Sequence, residues 1–212
     1  MSDPVIRPEV SAWLLELARL PGDPILEEME ALAREKKFPI VGPEVGRFLA
    51  QMAGAIGARR VFEMGSGYGY STLWFARAVG AGGRVFHTEG DPANTERARS
   101  FLRRAGVEDR VEFRTGDACR LIDEVKGEFD IVFCDVDKHQ YPAAYERFRD
   151  RVRPGGLVIV DNLLWSGKVA AGADDRSTAG VRDYIARMWS DPRYLSSLLP
   201  VRDGLGLSWR IP

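Results

Sequence analysis

The sequence predicts an α/β protein: a doubly wound, mostly parallel seven-stranded sheet with an antiparallel C-terminal hairpin. Three observations carry that prediction. From Arg60 onward, short runs rich in β-branched and aromatic residues alternate with stretches of helical period, the signature of right-handed crossovers between parallel strands. The first run, Val61-Phe62, ends in an acid and a glycine-rich turn, Glu63-Met64-Gly65-Ser66-Gly67-Tyr68-Gly69, before an amphipathic stretch. At the C-terminal end the alternation stops, and residues 198–202 and 205–211 flank Asp203-Gly204 as a hairpin on a two-residue turn.

The elements follow in order. A short helix is expected over 11–20. Asp23-Pro24 supplies a cap and first-turn signal for a second helix over 23–36, with Ile25, Leu26, Met29, Leu32 and Ala33 at helical spacing. A third helix carries Val45, Phe48, Leu49, Met52 and Ile56 on one face. Strands are expected over 60–64, 84–88, 111–114, 131–135 and 157–161. The connecting helices fall at 71–79, 92–105, 118–125 and 141–152, the last ended by Gly155-Gly156 after Pro154. Residues 163–177 read as a long irregular loop, of the kind that either covers a site or is disordered.

With 212 residues, 45% hydrophobic and 29% charged, the chain suits one domain, with 1–57 as a helical extension and cap and 58–212 as the sheet-bearing core. A net charge of -1 and a pI near 6.2 provide no general attraction for nucleic acid or anionic membrane. No signal-peptide pattern and no apolar run of about 18 residues is present, so a cytoplasmic protein is expected. Cys119 and Cys134 lack metal-type spacing and read as reduced core thiols.

In an open parallel sheet, ligands bind beyond the carboxyl ends of the strands, and four predicted strands end in an acid: Glu63, Glu89, Asp135 and Asp161. Tyr70 stands where a dinucleotide fingerprint requires its third glycine, which argues against a pyrophosphate cradle. Glu89 lies about 20 residues past the glycine loop, where a carboxylate can accept both hydroxyls of a ribose. Glu63 can orient the loop amides or a ligand ammonium. Ala118, after Gly116-Asp117, allows close approach of an adenine, although a helix cap by Asp117 accounts for the same residues.

Asp135-Val136-Asp137-Lys138 follows one strand and Asp161-Asn162 another. Neighbouring strands lie about 4.8 Å apart, so Asp135, Asp161 and Asn162 could converge on one ion. An oxygen-only set suits Mg²⁺, Mn²⁺ or Ca²⁺ and disfavours zinc. Beside such an ion, Lys138 would be drawn toward the range of a general base, while Asp135 and Asp137 pull the other way.

These residues, and Asp161-Asn162-Leu163-Leu164-Trp165-Ser166-Gly167, resemble the cation-dependent small-molecule O-methyltransferases, the class I S-adenosylmethionine-dependent group of caffeoyl-CoA and catechol O-methyltransferases. The resemblance runs from about Phe38 to Ile211. It implies a Rossmann-like fold, S-adenosylmethionine as methyl donor, Mg²⁺ as the first candidate cation, a small phenolic acceptor and a homodimer. It assigns the metal to Asp135, Asp161 and Asn162, the proton-accepting role to Lys138, and the donor site to Val41, Glu63, Gly65, Ser66, Ser71, Glu89, Ala118 and Asp137. Ser166 stands where plant members carry an asparagine that touches substrate, which speaks against a coenzyme A thioester. Two alternatives stay open: methylation of a hydroxylated uridine in transfer RNA, served by an arginine track through Arg103, Arg104, Arg147, Arg149, Arg151 and Arg153, and a non-catalytic adenosylmethionine-binding module.

Overall fold

Local helix signals act where the sequence puts them. The computed structural model describes residues 7–19, 23–172 and 174–212. Its first three elements are helices, α1 (Pro8–Ala18), α2 (Pro24–Lys36) and α3 (Gly42–Ala55). The Asp23 carboxylate accepts the Leu26 amide at 3.1 Å and Pro24 occupies the first turn, so α2 starts at its predicted cap. Helix α1 begins three residues earlier than expected, at Pro8, because proline suits a first helical turn. Leu20, its expected end, lies outside the described residues.

Then strand and helix alternate: β1 (Arg60–Met64), α4 (Tyr70–Val79), β2 (Arg84–Glu89), α5 (Pro92–Arg104), β3 (Val111–Thr115), α6 (Ala118–Glu124), β4 (Phe129–Cys134), α7 (Tyr141–Phe148) and β5 (Val152–Val160). The short α8 (Lys168–Ala171) and the long α9 (Arg176–Ser190) follow, and the antiparallel pair β6 (Tyr194–Leu199) and β7 (Leu205–Arg210) completes the sheet. The strand order is β3-β2-β1-β4-β5-β7-β6. All pairs from β3 to β5 are parallel, while β7 runs antiparallel to both β5 and β6. The order reverses between β1 and β4, and the crevice beyond their carboxyl ends is where this topology binds ligands.

Strand alternation sends side chains to two cores. Val61, Val85, Ile131, Phe133 and Ile159 pack with Leu26, Met29, Val45, Leu49 and Leu73. Phe62, Phe86, Val132, Val158 and Val160 pack with Ile122, Tyr141, Phe148, Tyr184 and Met188 on the other face.

Three expectations need correcting. Helix α7 ends at Phe148, and Pro154-Gly155-Gly156 lies inside β5. A register shift between Phe129 and Ile131 accommodates it, and a Cβ on Gly156 would come within 2.7 Å of the Asp130 carbonyl oxygen. The β6–β7 connection spans residues 200–204, with Arg202 and Gly204 both at positive φ, rather than a two-residue turn. Its extra length brings the Asp203 and Gly204 carbonyls to the Leu164 and Leu163 amides, at 2.8 and 2.9 Å. The stretch expected as loop over 163–177 contains α8 and the start of α9, which Asp175 caps through the Ser177 and Thr178 amides, both at 3.1 Å.

Candidate active site

The glycine loop is shaped by what lies against it. Gly65, Gly67 and Gly69 all have positive φ, and a Cβ on Gly65 would sit 2.5 Å from the Asp135 carbonyl oxygen. Only glycine lets the loop after β1 lie that close to the end of β4. Ser66 ties the loop to β2, its amide donating to the Thr88 carbonyl at 2.9 Å and its hydroxyl accepting the Thr88 amide at 3.1 Å. The Gly67 amide donates to Glu89 Oε2 at 2.9 Å, and the Asp91 amide to Glu89 Oε1 at 2.9 Å. Glu89 is therefore held in place before any ligand arrives.

Tyr70, the residue that argues against a dinucleotide cradle, points its hydroxyl to Glu30 at 3.0 Å, and Tyr68 donates to the Met29 carbonyl at 3.0 Å. Both phenols fasten the loop to α2. Glu63 is fully buried within β1. Burial raises it to about 7, against the pull of the Thr72, Ser71 and Ser66 hydroxyls.

On the other side of the crevice, β4 and β5 are neighbours, with Cys134 opposite Val160. Asp135 and Asp161, the next residues of each, consequently stand side by side. Burial raises both carboxyls, and Asp135 adds its negative charge to the rise at Asp161. Lys138 Nζ lies 2.8 Å from Asp135 Oδ1 and holds its carboxyl down in part. The ammonium also lies 5.5 Å from the Tyr141 ring and 5.8 Å from that of Trp165. Asp161 Oδ1 accepts the amide of Asn162, whose backbone is left-handed at φ 58°.

One cavity of about 260 Å³ gathers these groups. Of the predicted donor-site residues, Val41, Gly65, Ser66, Ser71, Glu89 and Asp137 line it, together with Asp135, Lys138, Asp161 and Asn162. Glu63 and Ala118 do not: Glu63 lies within the sheet, and Ala118 is buried in the first turn of α6, where Asp117 caps the helix through the Cys119 amide at 2.9 Å. Phe38, Pro39 and Ile40 form the wall opposite the strand ends. Among the described residues no three His, Cys, Asp or Glu side chains gather as a metal site; the strand ends offer two carboxylates and one amide.

A family model described as O-methyltransferase matches residues 20–211. The chain belongs to the O-methyltransferase family. It is thus an S-adenosylmethionine-dependent enzyme that methylates oxygen. A catechol O-methyltransferase of Mycobacterium tuberculosis is 37% identical over 188 residues, covering 87% of this chain and 85% of the relative. Caffeoyl-CoA O-methyltransferase 2 of Populus trichocarpa is 31% identical over 215 residues, covering 94% and 87%. The crystal structure of the Bacillus cereus O-methyltransferase in complex with SAH superposes with a TM-score of 0.86 at 32% identity, covering 95% of this chain and 97% of that one.

Two positioning groups of this O-methyltransferase escaped the sequence reading. The buried Tyr141 donates its hydroxyl to the Asp161 carbonyl at 2.7 Å. Gly180 of α9 brings that helix so close to the Lys138 turn that a Cβ would lie 2.4 Å from the Lys138 carbonyl oxygen. A reading of Val181, Tyr184, Ile185 and Met188 at helical spacing would have found the helix. The arginine track is largely committed elsewhere: Arg103 pairs with Glu108, Arg104 with Glu28, Arg147 with Asp123, Arg149 with Glu146 and Arg153 with Asp130. Arg151 donates to the backbone carbonyls of Ile122 and Gly127. Both cysteines are free thiols, and burial raises each. Among the described residues no helix is long and apolar enough to cross a membrane.

Proposed function

We propose that this O-methyltransferase moves the methyl group of S-adenosylmethionine to one hydroxyl of a small vicinal-dihydroxy phenol, with a divalent cation, and that it works as a homodimer. The observation carrying the reading is the single cavity shared by Gly65, Ser66, Ser71 and Glu89 on one side and Asp135, Lys138, Asp161 and Asn162 on the other. The names of the catechol and caffeoyl-CoA relatives support the acceptor class.

The residues fit a hard cation. Two adjacent carboxylates, both raised by burial, form an electrostatic site that Lys138 neutralises only in part, and the donors are oxygen alone. Asp135, Asp161 and Asn162 would hold the ion, with Mg²⁺ first and Mn²⁺ or Ca²⁺ behind it. When bound, the ion would draw in both oxygens of a diol, favour the ionised hydroxyl and take up carboxylate charge that otherwise faces Lys138 alone.

The chain's own groups do the rest. Glu89, fixed by the Gly67 and Asp91 amides, receives the donor's ribose hydroxyls. Lys138 Nζ, once its ammonium has released a proton to solvent and stands as the free amine, accepts the proton of the acceptor hydroxyl. The freed oxygen pair attacks the methyl carbon in line, the carbon–sulfur bond breaks and a neutral thioether leaves. Because opposite charges cancel along this path, alignment contributes more than polarity. Phe38, Pro39 and Ile40 keep water from the acceptor ring.

Methyl transfer to caffeate and 3,4-dihydroxybenzoate, with Mg²⁺ or Mn²⁺ and again with chelator, tests the reading. Turnover that needs both hydroxyls and stops with chelator is expected. Equal turnover in chelator would remove the cation, and no turnover on any catechol despite donor binding would remove the acceptor class.

A further inference from the structure

We propose that His87 and Thr72 are positioning residues for the methyl donor, holding Glu63 so that its free oxygen receives the donor's α-ammonium group. The inference rests on S-adenosylmethionine as donor.

Glu63, Thr72 and His87 come from β1, α4 and β2, and none is exposed. Glu63 and His87 are register partners on adjacent strands. Thr72 Oγ1 lies 2.5 Å from Glu63 Oε2 and 3.0 Å from His87 Nδ1. Ser66, which lines the cavity, donates to the same Glu63 oxygen at 3.4 Å. Glu63 Oε1 and His87 Nε2 are buried without partners among the described residues.

Proton accounting gives the chain a direction. With Glu63 ionised, as an ammonium partner requires, the single Thr72 hydroxyl proton goes to Oε2. The Thr72 oxygen must then accept, and the donor at 3.0 Å is Nδ1–H of His87. The opposite tautomer would bury an unpaired Nε2–H and set two lone pairs against each other, whereas the chosen one leaves only a bare ring nitrogen. Burial, with a smaller push from Arg99, lowers His87 to about 3, so the ring is neutral and has one proton to place. The Thr72 and Ser66 hydroxyls converge on Oε2, the Ser71 hydroxyl adds its pull on the carboxylate, and Oε1 remains a buried acceptor without a hydrogen-bond partner among the described residues. A buried carboxylate oxygen in that state calls for a donor, and the ligand expected in the adjoining cavity carries an ammonium.

The test compares binding of S-adenosylhomocysteine with binding of its analogue lacking the α-amino group. The wild-type chain should favour the amine-bearing compound by about tenfold or more, the scale of a hydrogen bond between charged groups. Thr72→Val and His87→Phe should each narrow that ratio by about fivefold while leaving the deamino compound's affinity unchanged. Thr72→Ser, which keeps the hydroxyl, should retain the wild-type ratio. If Thr72→Val fails to fold, His87→Phe, which fills the space beside Phe113, gives the reading alone. An unchanged ratio in His87→Phe, or equal weakening of both compounds, would overturn the proposal and leave the relay a structural role. Failure of the wild-type chain to bind either compound would instead overturn the donor reading on which the proposal stands.

Discussion

Asp161 has two demands on it that conflict. It is nearly inaccessible, its carboxyl is raised by burial and by Asp135, and no cation is bonded to its side chain among the described residues. A site that collects like charge reduces stability in exchange for binding. Asp161→Asn should therefore make the metal-free protein more stable by about 1–2 kcal/mol, since an amide oxygen still accepts the Asn162 amide, while methyl transfer is lost. Urea denaturation in chelator beside a turnover assay checks it; lower stability of the variant would show that the two carboxylates are not in conflict. His87 supports a second expectation. In the fold it takes up a proton near pH 3, and in the unfolded chain near its ordinary 6.5, so the unfolded state binds more protons between those values and stability falls as pH drops through them. Glu63 acts oppositely, because its value near 7 lies above its ordinary 4.5 and acidification across that window favours the fold. Relative to wild type, His87→Phe should gain stability as pH falls from 6.5 to 3, by at most about 1.4 kcal/mol per pH unit. Denaturation midpoints at pH 7, 5 and 4 test this, and a constant difference would mean that His87 is not held neutral.

At the scale of elements, the site depends on α9 as much as on the strands that carry its acids. Gly180 lets α9 lie against Lys138 and His139, whose Cα would be 2.8 Å from an added Cβ. Gly180→Val must push the Lys138 turn or the helix aside. We expect a loss of about 2–3 kcal/mol in stability and a fall in kcat larger than any change in donor affinity, because the glycine loop is anchored on α2 and β2 instead. Calorimetric binding of S-adenosylhomocysteine alongside kinetics separates the two; parallel losses in both would place α9's influence on the whole cavity. This helix also marks the limit of what was legible. Strands β1 to β5 and the acids at their ends stood out because apolar runs and glycine turns are local signals. The convergence of Asp135 and Asp161 was conditional on strand adjacency, which hydrogen bonding alone decides. The Asp203-Gly204 turn was misread because its geometry answers to the Leu163 and Leu164 amides, contacts some forty residues away in sequence. Gly180 and Tyr141 act through backbone approach and a carbonyl bond, and neither leaves a local signal.

For the whole molecule, assembly bears on the site itself. Helix α1 exposes Trp13, Leu14 and Leu17, at 57%, 39% and 55%, although its Leu15 and the adjoining Arg19 line a second cavity, of about 560 Å³, that reaches Asp161 and Asn162. One side of the helix thus faces the cavity that reaches Asp161 and Asn162 while the other keeps large apolar side chains in water. Contiguous exposed apolar surface of that kind marks an interaction face, and a second copy covering it would also clamp α1 over the cavity. The expected solution mass is therefore twice the 23.6 kDa of the chain, measured by sedimentation. Trp13→Glu with Leu17→Glu should return the mass to that of one chain and raise the acceptor KM, with donor affinity unchanged because neither residue lines the cavity that holds Gly65, Ser66, Ser71 and Glu89. A wild-type mass of one chain would remove the dimer. A monomeric double variant with an unaltered KM would keep the dimer and detach it from the acceptor cavity, leaving α1 held within its own chain by packing against α3 and by the Arg19–Glu30 ion pair to α2.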